Sequence, residues 1–287
     1  MSSKLKIGTC SWNYDSWTGL VYSGLPGSNY LTEYSSIYNT VEVDRWFWSL
    51  FPPGKVVLPN LKDVNDYFSA VNKDFRFTIK APNSISLTHF YSRDTGGTLI
   101  ENPNFLSPEL YEKFLKSIEP LHPVTGVIII QFEYLNKQKM GSQNEFLQLL
   151  EKFAESVDKS IKIGIEIRNP NYLNKKFFET LNRTGFIPVF LHGYFMPDAL
   201  KVIRDFANYI PGTAVLRLHG PDRTGIEKKT KNIWNEVVEP KDFEIGTIAE
   251  VVRELLEREI ELYINVNNHY EGSAPLTIEK IKTAIAG

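Results

Sequence analysis

The sequence predicts an α/β fold, a (β/α)8 TIM barrel in a single domain spanning residues 1–287, and three observations carry that prediction. Eight short runs rich in β-branched or aromatic residues alternate with eight helical patterns, which calls for a parallel sheet with crossover helices. Eight such units in 287 residues match the size of one closed barrel. The rival, an open doubly wound sheet, wants a glycine-rich phosphate loop after its first strand, and "GTCSWNYDSW" has no such pattern.

Taken in order, "LKIGTCS" (5–11) reads as the first strand, and "SNYLTEYSSIYN" (28–39) as the helix behind it. "TVEVDRW" (40–46) is followed by "PNLKDVNDYFSAVN" (59–72), where Leu61, Val64, Phe68 and Val71 recur at helical spacing. "RFTIKAP" (76–82) is followed by "SPELYEKFLKSIEPL" (107–121), which opens with Ser107 as cap and Pro108 in the first turn. "GVIIIQF" (126–132) leads to "SQNEFLQLLEKFAESV" (142–157), with Ser142 and Glu145 spaced as a capping box. "KIGIEIR" (162–168) leads to "NKKFFETLNRTG" (174–185), which stops on a glycine. "IPVFLHG" (187–193), "AVLRLHG" (214–220) and "ELYINVN" (261–267) are the last three strands. Their helices are "MPDALKVIRDFANY" (196–209), "KDFEIGTIAEVVRELLER" (241–258) and "SAPLTIEKIKTAIAG" (273–287). The lysine-rich stretch "GIEKKTKNIW" (225–234) is expected to be a solvated loop.

Composition narrows the function classes. A net charge of −2 lacks the basic surplus of a typical nucleic-acid binder. The single cysteine, Cys10, excludes an intrachain disulfide and fits a reducing compartment. The opening "MSSKLKIGTC" carries no signal-peptide core, and no run reaches the roughly 20 apolar residues of a membrane span. A cytoplasmic protein with no membrane partner is therefore expected, its oligomeric state left open.

In a barrel strand, alternate residues face the helices or the interior, and the C-terminal ends open on the mouth where such folds place their sites. On that alternation Glu42, Asp44, Lys80, Gln131, Glu166, Arg168, Arg217, His219, Asn265 and Asn267 point inward, while Val41, Val43, Ile79, Ile163, Ile165, Ile167, Leu216 and Leu218 face the helices. Buried charge is costly unless paired or used, and apolar filling stabilises a barrel at least as well. Polar groups converging from six strands therefore point to a site.

The same residues carry a resemblance. "IGTCSWNYDSW", "NTVEVDRWFW", "FRFTIKAP", "IEIRNPNYL", "LRLHG" and "YINVNNHYEGSAP" together, in order along nearly the whole chain, resemble the YecE-like family, domain of unknown function 72. The resemblance implies a TIM-type barrel and no established activity. Glu42, Lys80, Glu166, Arg168, Arg217, His219 and Asn267 match the family pattern. The run Asp44, Arg45, Trp46, Phe47, Trp48 and the spacing to Thr88 and His89 depart from it, so Asp44 and His89 are not carried over.

Glu42 and Glu166 are the expected acid/base pair, with His219 as an auxiliary near neutral pH. The bland alternative is that each carboxylate pairs with a neighbouring arginine. Lys80, Arg168 and Arg217 suit an anion, Arg through its planar fork. Gln131, Asn265 and Asn267 complete a substrate-binding set. Trp12 and Trp46 are expected at the rim, stacking on a sugar or base. The start of the last helix, after the eighth strand, is read as a plain loop with Ser273 as its cap, the alternative being a second anion seat there.

The expected substrate is a small anion of sugar-phosphate or nucleotide type; the alternative is a nucleotide or nucleic-acid binding module. No cofactor is expected. Glu42, Glu166, His192 and His219 are the set a divalent metal would need, but no HxH or HExxH spacing supports it.

Overall fold

The computed structural model describes residues 2–51, 54–91 and 99–287. The apolar runs pair in parallel and in sequence order: β1 (Leu5–Cys10), β2 (Thr40–Val43), β3 (Arg76–Lys80), β4 (Thr125–Gln131), β5 (Lys162–Glu166), β6 (Ile187–Gly193), β7 (Thr213–Gly220) and β8 (Glu261–Val266). β1 pairs with both β2 and β8, which closes the barrel. The helices behind the strands are α1 (Tyr30–Ile37), α2 (Leu61–Ser69), α3 (Pro108–Ser117), α4 (Gln143–Ser156), α5 (Lys175–Thr184), α6 (Ala199–Phe206), α7 (Asp242–Glu257) and α8 (Ala274–Ala286). None of the described helices is long and apolar enough to cross a membrane.

Local chemistry explains most boundaries. Asn29 caps α1 by accepting from the amides of Leu31 and Thr32. Ser107 caps α3 and Asn174 caps α5, whose end is Gly185 at φ 75°, the left-handed stop a glycine adopts without strain. The expected capping box is half made: Ser142 accepts from the Glu145 amide, but the Glu145 carboxylate accepts from Gly141, not from Ser142. The stretch expected as a loop after β7 instead forms a short helix, Arg223–Thr230, because Asp222 caps it through the Gly225 amide at 2.9 Å.

The core has two layers. Outside, Val41, Val43, Ile163, Ile165, Leu216 and Leu218 pack against the helices, as the alternation requires. Inside, Val127, Ile129, Ile187, Val189, Val215 and Tyr263 form a small apolar plug. Gly8 permits a close approach: a Cβ there would overlap the Thr40 carbonyl, and the space is taken by the Tyr34 hydroxyl, which accepts from the Thr9 amide at 2.8 Å. The plug thus seals the barrel below, and what remains of the interior lies at the C-terminal ends of the strands.

Candidate functional site

Above the plug the inward positions turn polar, as expected. Arg217 stands at the centre, 2% exposed. Its Nε and Nη2 donate to Glu42 Oε2 and Oε1 at 2.7 and 2.6 Å, a two-pronged pairing of fork and carboxylate. Its Nη1 donates to Glu166 Oε2 at 2.5 Å and to Gln131 Oε1 at 3.2 Å. Glu166 Oε1 accepts from Arg168 Nε at 2.7 Å. Asn265 donates through Nδ2 to Glu42 Oε2 at 3.1 Å and to Thr78 Oγ1 at 2.9 Å, while its buried Oδ1 has no partner among the described residues. Strand register builds this layer: Gln131 lies beside Glu166, and Asn265 beside Arg217.

The charges settle accordingly. Burial alone would push the fully buried Glu166 carboxyl up, but Arg217, Arg168 and Lys80 outweigh it and bring it down to about 2. This carboxyl is therefore an anion throughout the physiological range. Lys80 behaves oppositely: burial first, and then Arg217, lower its ammonium to about 8 against the pull of Glu42, Glu166 and Asp44. Among the described residues no hydrogen bond or ion pair holds Lys80 Nζ, which lies 3.8 Å from the centre of the Phe47 ring. Arg168 packs with Cζ 5.3 Å from the centre of the Tyr194 ring, and its terminal nitrogens donate to no described residue.

His219 is buried beside the cluster. Its Nδ1 lies 3.1 Å from the Tyr194 hydroxyl and its Nε2 3.7 Å from Cys10 Sγ. Burial, with Arg217, Arg168 and Lys80 nearby, holds the imidazole neutral, well below its usual range. Burial and Glu42 push the Cys10 thiol up, so it is protonated and not a ready nucleophile.

Other expectations change. β5 ends at Glu166, so Arg168 is presented by the following loop. β2 ends at Val43, and a turn in which Phe47 N donates to Asp44 O breaks the alternation, which tucks Trp46 inside. Trp46 is 7% exposed and stacked 5.5 Å from Tyr67; Trp12 meets the same ring edge-on at 4.9 Å. Trp46 is no open platform, whereas the half-buried Trp12 lines a cleft beside the mouth. The exposed aromatics after the strands include Trp48, Tyr91, Tyr134 and Phe195, the last three of which sequence reasoning missed because isolated loop aromatics carry no periodic signal.

Asn267 lies past the end of β8 and accepts from the His269 amide at 2.9 Å, shaping its own turn instead of joining the cluster. The anion seat considered at the start of α8 is filled by the protein. Glu271 is fully buried there, accepting from the Lys241 amide at 2.7 Å and Thr277 Oγ1 at 2.8 Å, with Lys280 at 2.6 Å. Among the described residues Ser273 Oγ has no hydrogen-bond partner. His192 turns toward α7, 3.2 Å from Glu244, so the residues considered for a metal do not converge. Among the described residues no group of three or more histidine, cysteine or carboxylate side chains is placed to hold an ion.

Beside the mouth a cleft of about 600 Å³ is lined by Ser11, Trp12, Asn13, Asp44, Arg45 and Tyr67. Its walls carry only Asp44 and Arg45 as charges. Lys80, Arg168 and Arg217 do not line it. The charged cluster lies apart from this cleft, with Lys80 against Phe47 and Arg168 against Tyr194.

The sequence matches the family described as "Protein of unknown function DUF72" over residues 6–287. The chain belongs to the DUF72 family. Two solved structures share the fold of this DUF72 chain. A DUF72 family protein from Enterococcus faecalis is 20% identical, with 99% of this chain and 96% of that one covered and a TM-score of 0.70. One from Thermotoga maritima is also 20% identical, with 99% of each chain covered and a TM-score of 0.66. Both support the barrel, and neither name states an activity. No curated protein matches the DUF72 chain.

Proposed function

We propose that the protein is an enzyme acting on a small anion of sugar-phosphate or nucleotide type at the C-terminal mouth of the barrel. The observation that carries this reading is the pair of incompletely engaged cations, Lys80 and Arg168, above a cluster whose central Arg217 is already neutralised by two carboxylates. A phosphate or carboxylate seated on the open edge of Arg168 gains charge-assisted hydrogen bonds in a poorly hydrated place. Gln131, Asn265 and Arg217 line the floor.

In this reading Glu42 and Glu166 position cations, and Glu166 does not shuttle protons. A carboxyl at about 2 is a poor match to a proton-transfer role near neutral pH, whereas an amine at about 8 is a good one. Lys80 is the acid/base group, and neutral His219, held by Tyr194, is a hydrogen-bond donor or acceptor to substrate. The single buried thiol fits a cytoplasmic setting.

The test is calorimetric and thermal titration with inorganic phosphate, ribose 5-phosphate and a nucleoside monophosphate. Ligand at 100 times its Kd stabilises by about 2.7 kcal/mol. Wild type is expected to shift, with the shift lost in Arg168→Gln and Lys80→Met. An equal response from both variants, or none from wild type, refutes the reading.

A second reading, a nucleotide or nucleic-acid binding module, draws on the exposed Trp48, Tyr134 and Phe195. It predicts salt-sensitive binding of single-stranded nucleic acid that falls in Trp48→Ala.

A further inference from the structure

Lys80 has a second use that rests on the anion-site reading and narrows it. We infer that Lys80 forms an imine with the substrate, so that the substrate class is a carbonyl compound bearing an anionic group. The argument begins with placement. Lys80 ends β3 on the inner face, is 8% exposed, and among the described residues has no carboxylate within ion-pairing distance. A buried ammonium without a partner is costly, and a fold that only needed filling there would gain by an apolar side chain.

The charged and titratable groups around Lys80 come from three strands: Glu42 and Asp44 from β2 and its turn, Glu166 from β5, and Arg217 and His219 from β7. The two carboxylates that would otherwise neutralise it are instead gripped by Arg217. The Phe47 ring lies against the head group, 3.8 Å from Nζ to its centre. Desolvation plus a neighbouring cation is the arrangement that leaves a lysine amine unprotonated and nucleophilic near neutral pH.

The chemistry closes without an added reactant. Lys80 Nζ attacks the carbonyl carbon, the nitrogen's protons pass to the carbonyl oxygen, and water leaves as the C=N bond forms. Arg168 sits on the adjacent loop, where its open edge meets the substrate's anionic group. Glu166 fixes that arginine through the 2.7 Å bond to Nε.

The experiment traps the imine. Wild type is incubated with glyceraldehyde 3-phosphate or glyceraldehyde and sodium cyanoborohydride, and labelled peptides are mapped by mass spectrometry. Label is expected first on Lys80, with the phosphorylated probe preferred, inorganic phosphate competing, and Lys80→Arg lacking it. Between pH 7 and 9 the labelling rate should rise about tenfold for an amine at about 8, against about a hundredfold for an ordinary lysine. Label spread evenly over surface lysines, or the steeper rise at Lys80, overturns the inference. A thermal-shift titration with inorganic phosphate separates the two readings. If phosphate stabilises the protein while Lys80 stays unlabelled, the imine alone falls. If neither occurs, the anion site falls with it.

Discussion

Replacing Arg217 by methionine tests the centre of the cluster. Methionine has comparable length and no charge, so the change strands Glu42 and Glu166 in the interior with less compensation. Moving the Glu166 carboxyl from its ordinary 4.5 to about 2 corresponds to about 3 kcal/mol of native-state stabilisation. Breaking a buried pair by removing one partner costs roughly 3–5 kcal/mol, which agrees. In a chain of this size each kcal/mol moves Tm by about 2 °C, so a fall of roughly 6–10 °C is expected at pH 7. The sign with pH follows from the lowered carboxyl. Its contribution is complete above about 4.5 and is lost as pH falls through about 2. The gap between wild type and variant should therefore narrow as pH drops from 5 toward 3. Circular-dichroism melts at pH 7, 5, 4 and 3 measure it. A gap below 2 °C at pH 7, or one that stays constant down to pH 3, would falsify the account of Arg217 as the counterion of both carboxylates.

Three further outcomes are expected. Lys80→Met should raise Tm at pH 7, because below about 8 the lone ammonium penalises the folded state; wild type should regain the difference as pH rises from about 8 to 10.5, by about 3 kcal/mol in all, and parallel melts across that range would expose a missing trend. Gly8→Ala should cost more than about 3 kcal/mol or abolish folding, since its methyl collides with backbone at Thr40 and displaces the Tyr34 hydroxyl; a urea melt close to wild type would contradict the packing. Trp46→Phe should cost no more than about 1.5 kcal/mol and leave ligand binding intact, because the ring stacks on Tyr67 and its buried Nε1 has no partner to lose; a binding defect without a stability defect would restore Trp46 to the site.

Much of this architecture was legible in the residues, for physical reasons that also mark the limit. A barrel strand repeats every two residues, so Ile163 and Ile165 declared one face and Glu166 the other. The same reasoning placed Glu42, Lys80, Gln131, Arg217 and Asn265 correctly inside the mouth. It failed where a strand stopped early. Trp46 and Asn267 lie beyond the last paired residues of β2 and β8, in turns whose hydrogen bonds redirect them. Partner choice was not legible either. That one guanidinium takes both carboxylates and leaves Lys80 alone depends on barrel stagger, which no local pattern encodes. The anion seat considered at Ser273 is occupied by Glu271, two residues earlier, which already supplies the negative charge that helix start favours.

The span of the Arg217 contacts bears on how the barrel assembles. Glu42 and Arg217 are 175 residues apart in sequence, yet Glu166 and Arg217 only 51. If the chain were severed between Phe132 and Lys162, the C-terminal fragment would keep Glu166, Arg168 and Arg217 together. The N-terminal fragment would hold Glu42 with no guanidinium to meet it. Recombining the fragments would then be guided by a charge lock that only the correct mate can close, and a Glu42→Gln fragment should reassociate with its complement less selectively than the native one.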